Sequence, residues 1–177
     1  VTSAAHWSNY NGSTLVTFPS GSYVTTHQQF DQCGSLRVST DANGAQTQLS
    51  YSSAFNYAYP TTVTTPVPDP TSGHSSNQSL GSNTDYDLNT GLVLSTINAN
   101  NKMTTMVYND PLYRLTQVTK PDGGHVTYVY SDTPGDVYVR ELTDLDASRV
   151  IETREYLDGL GRTIRKFTYQ GQSGAPW

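Results

Sequence analysis

Apolar and polar positions alternate along the chain in short runs. Arg114 to Thr119 and Val126 to Tyr130 both show a period of two, which marks a β-strand with one wetter face. Between them stands Pro121-Asp122-Gly123. Proline presets one turn dihedral and glycine accepts a positive φ, so this triplet makes a tight reversal. Asn43-Gly44 can serve in the same way as a type I′ hairpin corner. The pattern predicts hairpins.

The hairpins recur. Tyr108-Asn109-Asp110-Pro111-Leu112-Tyr113-Arg114-Leu115 opens the clearest unit, which runs through Pro121-Asp122-Gly123 to Tyr130. Tyr86-Asp87, followed by Thr90-Gly91-Leu92, opens the unit before it. Tyr86 to Tyr108 and Tyr108 to Tyr130 are both steps of 22 residues. Phe30-Asp31-Gln32-Cys33-Gly34-Ser35-Leu36-Arg37 begins an earlier copy, with Tyr51 following Phe30 by 21 residues. Tyr156-Leu157-Asp158-Gly159-Leu160-Gly161-Arg162 begins a last one. A lone hairpin is marginal in water, so such units must stack side by side. The expected fold is all-β, with antiparallel hairpin repeats forming a long twisted strip. Its structural residues are the aromatics, the acids or the amide Asn109, the turn glycines, and Arg37, Arg114 and Arg162. The arginines recur after the turn and are expected to pair with an acid or carbonyls of a neighbouring repeat.

These motifs resemble the RHS/YD-repeat family. The resemblance rests on Tyr108 through Tyr130, on Tyr86-Asp87 with Thr90-Gly91-Leu92, and on Asp158-Gly159-Leu160-Gly161-Arg162. It is strong over residues 84–130 and 155–169, moderate over 19–51 and absent over 54–83. Tyr113 stands where the motif has its turn glycine, and Asn109 where it has its aspartate. The resemblance implies β-strand shells or superhelical strips whose repeats carry no catalytic residues. The family's self-cleaving protease motif is not found in this sequence.

Residues 59–83 break the pattern. Pro60, Pro66, Pro68 and Pro70 lie among Thr, Val, Ser and Gly. Proline removes ladder donors, so a linker or arm is expected here rather than a central strand. The expected organisation is N-terminal repeats over 1–58, this arm over 59–83, and a second repeat block over 84–177. A smaller insertion at 132–150 is expected to hold an extended strand at Val137 to Thr143.

Composition sharpens the picture. The 177 residues include 25 Thr, 19 Ser and 13 Tyr against three Lys and three Glu, which starves the chain of helix formers and suits a half-wet pleated surface. A net charge of −5 argues against nucleic acid as a partner. No apolar run is long enough for a membrane-spanning helix. The first residue is Val1 and no leader-like segment precedes the repeats, as in a mature or excised product. Much Ser and Thr with little Lys suits an extracellular or cell-surface protein. Asn11-Gly12-Ser13 and Asn77-Gln78-Ser79 fit the glycosylation pattern, which arises readily by chance in such a chain.

Candidate chemistry is thin. Cys33 is the only cysteine and reads as a small half-buried side chain. His6, His27, His74 and His125 lie in different repeats or the linker without metal-ligand spacing, so no metal and no cofactor is expected. Asp85 to Gly91 fails the calcium-loop pattern at Thr90 and Thr96. Asp144 and Asp146 read as solvated. No nucleophile elbow is present, and no enzyme activity is expected. Tyr128, Tyr130, Tyr138, Tyr156 and Tyr169 read as cross-strand aromatic pairs.

The function expected first is a structural extracellular protein that associates with its own copies by strand-edge pairing into a filament or fibre. Its contact residues would be Leu15, Val16, Thr17 and Phe18, the arm's Thr61, Thr62, Val63, Thr64, Thr65, Pro66 and Val67, and Phe167, Thr168 and Tyr169. The alternatives are a wall segment of a larger RHS shell that encloses a toxin, and a surface module that binds glycans.

Overall fold

The computed structural model describes residues 2–7, 10–11, 14–15, 23–68 and 77–172. The chain divides into two compact units, Val1–Thr84 and Asp85–Trp177. The first holds β1 (Thr2–Trp7), β2 (Tyr10–Asn11), β3 (Thr14–Leu15), β4 (Tyr23–Phe30), β5 (Leu36–Thr40), β6 (Gln46–Tyr51), a 3₁₀ turn at Ser53–Phe55, and β7 (Pro60–Thr64). β8 (Gly81–Tyr86) begins in it and ends two residues past its last residue, Thr84. The second unit holds β9 (Val93–Ile97), β10 (Met103–Val107), β11 (Gln117–Thr119), β12 (His125–Thr133), β13 (Asp136–Asp144), β14 (Arg149–Leu157) and β15 (Thr163–Gln172).

Every strand pair is antiparallel, and the fold is all-β as the alternation predicts. From β4 to β8, and again from β9 to β15, each strand pairs with the next in sequence. β1 pairs with β4, because the short hairpin β2–β3 intervenes and pairs with itself. The extended strand expected at Val137 to Thr143 is β13, one residue longer at each end.

The expectation that residues 59–83 contain no interior strand is overturned. Pro60–Thr64 forms β7, flanked by β6 (Leu49 opposite Val63) and by β8 (Val63 opposite Ser82). Pro60 is tolerated because it is the first strand residue, at a register shift opposite Tyr51, where a missing N–H costs no regular ladder bond. Four β-branched residues, Thr61 to Thr64, then carry the strand.

Burial is shallow. Among the described residues only Val150, 7% exposed, and Glu152, 3% exposed, are buried, and both lie on β14. Most other strand positions are half-covered. No second layer of structure packs on these strands among the described residues, so cross-strand side-chain rows supply most of the contacts.

Candidate functional site

Each repeat opens with a side-chain-capped turn. Asp31 Oδ1 accepts the backbone N–H groups of Cys33 and Ser35, both at 2.9 Å. Asp158 Oδ1 does the same for Leu160 and Arg162, at 2.9 and 3.0 Å. A short carboxylate satisfies two donors that the reversal would otherwise strand. The left-handed position falls three residues after the aspartate, at Gly34 (φ 83°) and Gly161 (φ 76°). Asp87 instead takes the N–H groups of Asn89 and Thr90 and the Thr90 hydroxyl, and Gly91 is left-handed. These bonds, the Thr90 hydroxyl foremost, lower the Asp87 pKa. At the Pro121 corner, Asp122 Oδ1 accepts from Gly124 N–H at 3.0 Å, and Gly123 has φ 85°.

In the repeat that opens at Tyr108 the turn residue is Asp110, which corrects the expectation of Asn109. Leu112 N–H donates to Asp110 Oδ1 at 2.8 Å, whereas Asn109 donates its own N–H to Thr116 Oγ1 at 3.1 Å. Counting back three residues from the left-handed position settles the role: Tyr113, at φ 56°, occupies the glycine place as expected.

The arginines behave differently from one another. Arg114 binds Asp110 through Nε and Nη2, and Asp132 through Nη1 and Nη2, at 2.7–2.9 Å. Its guanidinium lies 4.2 Å from the centre of the Tyr130 ring, and the Tyr130 hydroxyl donates to Leu115 O at 2.7 Å. The Arg114 hydrogen bonds pull Asp110 down to about 2 and lower Asp132 as well. Arg37 makes the analogous latch in the first unit, 5.0 Å from the Tyr51 ring, while Tyr51 donates to Leu36 O at 3.0 Å. Leu36 to Tyr51 and Leu115 to Tyr130 are the same 15-residue step. Measured from that leucine, Arg37 sits one residue after it and Arg114 one before. The three arginines therefore do not share one place in the repeat. Nor do all reach a neighbouring repeat: Arg37 pairs with Asp31 and Arg162 with Asp158, each in its own turn.

A further cluster went unseen in the sequence. On β13–β14–β15, Arg140 grips Glu152 at 2.6 and 2.7 Å, and Arg154 adds a third bond at 3.1 Å. Burial raises the Glu152 pKa, but the two guanidinium groups more than offset it and the net shift is downward. Beside them the rings of Tyr138 and Tyr156 lie 5.6 Å apart, and those of Tyr156 and Phe167 6.0 Å apart. Arg154 caps Tyr138, and Arg165 lies between Tyr156 and Phe167 at 5.8 and 5.7 Å. The one-dimensional signal was the spacing of Tyr138, Tyr156 and Phe167 across two hairpins, legible only once the register is known.

Three smaller expectations are corrected. Asp144 accepts the backbone N–H of His125 at 2.9 Å and faces its ring at 3.1 Å, and the backbone bond lowers its pKa. Asp146 binds Arg149 and Ser148. Neither is merely solvated. Cys33 is exposed rather than half-buried. Among the described residues no group of three or more His, Cys, Asp or Glu is placed to hold a metal ion.

Of the expected self-association residues, Thr62 to Thr64 are paired on both sides within β7, Thr61 lies at the register shift and donates its hydroxyl to Ser50 O, and Thr65 is bonded to Leu80. The edges of Thr62 to Thr64 are occupied, which removes these three as sites of strand pairing with another chain. Pro66 and Val67 line an open cleft with the Asp41–Gln46 turn. Leu15 belongs to β3, while Val16, Thr17 and Phe18 lie outside the described residues. Phe167, Thr168 and Tyr169 lie on β15, which among the described residues pairs with β14 alone.

No protein-family model and no curated protein matches the chain. A solved structure does. The crystal structure of TcdB2-TccC3-Cdc42 superposes with a TM-score of 0.62 at 18% identity, over 93% of this chain and 8% of that one. The likeness shows an RHS-like fold. This chain thus spans about a twelfth of the length of the protein it matches.

Proposed function

We propose that the chain is a wall segment of a larger RHS-type shell and acts as a structural, non-enzymatic element. The observation that carries this reading is the match of 93% of the chain to 8% of a much longer one. The shallow burial supports it, since a wall needs strands with two half-wet faces rather than a central core. The capped turns and latches support it too, because their polar groups are spent on holding hairpins together. A polar, lysine-poor surface suits an extracellular or cell-surface setting. The filament reading loses its arm, now that β7 is paired on both sides. The glycan reading loses ring faces, since guanidinium groups cover Tyr51, Tyr130, Tyr138 and Tyr156.

Immunoblotting of the natural source with an antibody to the second unit tests the proposal. A product far larger than 177 residues is expected. A natural product of that length, forming fibres in negative-stain micrographs, would overturn it.

A further inference from the structure

We infer that the outer edge of β15 receives an antiparallel strand of a different sequence, one that carries a carboxylate opposite Arg165. The inference rests on the shell-wall reading only in that a wall is continued by further strands.

The direction of the free backbone groups follows from the ladder. Leu145 N–H donates to Arg149 O at 2.9 Å. Antiparallel pairs alternate between bonded and non-bonded, so Asp144–Val150 is non-bonded, Thr143–Ile151 bonded and Leu142–Glu152 non-bonded. Val150, Glu152, Arg154 and Tyr156 therefore turn their backbone groups toward β15, where they meet Gly171, Tyr169, Phe167 and Arg165. Lys166, Thr168 and Gln170 are left pointing their N–H and C=O outward. β15 is ten residues long and contains no proline. Its one bulge lies near its start, opposite Tyr156 and Leu157. Its one lysine is tied back to Glu155 at 2.5 Å. Proline is thus absent, the lysine is spent and the bulge is confined to the start of the strand.

The chemistry of the partner follows from the rows that run across the sheet. One row is Tyr138, Tyr156, Arg165, and the next is Arg140, Arg154, Phe167. On an added strand, the residues opposite Arg165 and Phe167 would sit in non-bonded pairs, where side chains approach most closely. The chain has seven arginines. Six of them stand within ion-pair distance of a carboxylate, and Arg165 is the exception among the described residues. Phe167 is 42% exposed beside it. An acid opposite Arg165 would pair the one arginine that has no carboxylate within reach among the described residues.

A second copy does not supply that acid. Among the described residues the open sheet edges are those of β15 and of β1, which pairs only with β4, and neither strand contains Asp or Glu. The occupant is therefore a strand foreign to both, as the next hairpin of a longer wall would be.

The test uses the full 177-residue chain and short fluorescein-labelled peptides of alternating Thr and Val with one central Glu, or Lys in its place. Peptides with the sequences of residues 2–7 and 163–172 form the second-copy arm. Fluorescence anisotropy is expected to show the Glu peptide binding roughly fivefold to tenfold more tightly than the Lys peptide, from one attractive against one repulsive cross-strand pair. Arg165→Glu should invert that order, and Thr168→Pro should weaken both by removing an outward donor. Far-UV circular dichroism checks that each variant folds; if Thr168→Pro does not, the charge inversion decides alone. Equal affinities, no inversion, or no binding would overturn the inference. Self-peptides binding as tightly as the Glu peptide would replace the foreign strand with a second copy. A short natural product on the immunoblot would overturn the wall while leaving the edge intact.

Discussion

Glu152→Gln isolates the most buried side chain among the described residues. Glu152 is 3% exposed and accepts three hydrogen bonds, two from Arg140 and one from Arg154. The substitution keeps the shape and removes the charge. Removing one partner of a buried ion pair costs about 3–5 kcal/mol. Here the guanidinium groups keep 26% and 20% of their surface in water, which lets them rehydrate in part. The lower end, about 3 kcal/mol, therefore applies. For a chain of this size that corresponds to a melting temperature lower by roughly 6–12 °C. Differential scanning fluorimetry and urea titration read it directly. The triple variant Arg140→Met, Glu152→Leu, Arg154→Met should recover to within about 1 kcal/mol of the parent, because apolar packing replaces the whole cluster. If Glu152→Gln melts with the parent, or if the triple variant is as unstable as the single one, the cluster does not hold β13 to β14 as argued.

Other expectations are as direct. Asp110→Ala should lower the melting temperature and Asn109→Ala should not, which separates the turn residue from its neighbour. In NMR titrations the Asp110 carboxyl should titrate near 2 and return toward its ordinary value of 3.8 in Arg114→Ala. A depressed folded-state pKa stabilises above the unfolded value, so this contribution should be complete above about pH 4 and fade as pH falls toward 2. Tyr130→Phe and Tyr51→Phe each remove one hydroxyl-to-carbonyl bond and should cost about 1 kcal/mol in urea titrations. Tyr113→Gly should raise stability by about 0.5–1 kcal/mol, since it relieves a left-handed tyrosine whose ring is largely exposed; a loss would mean the ring anchors its loop.

The hairpin content was legible because period-two alternation and turn triplets are local signals. Pro121-Asp122-Gly123 and Asp158-Gly159-Leu160-Gly161 fold as their sequences suggest, each with its left-handed glycine. β7 was illegible because the proline rule applies to strand interiors, and Pro60 stands at a strand end where no regular bond is lost. Counting forward from Tyr108 points to Asn109 rather than Asp110; only the backbone dihedral at Tyr113 shows that the count runs backward from the left-handed residue. The Arg140–Glu152–Arg154 cluster depends on register between β13 and β14, and register is set by side-chain rows and turns that a linear pattern does not display.

Sequential pairing from β9 to β15 also decides how the second unit can fold in time. No strand there waits for a partner made much later, and most partners are joined by turns of a few residues. Closing such short loops costs little entropy and is fast. The unit can assemble one hairpin after another as the polypeptide leaves the ribosome, each new strand templated by the one before it.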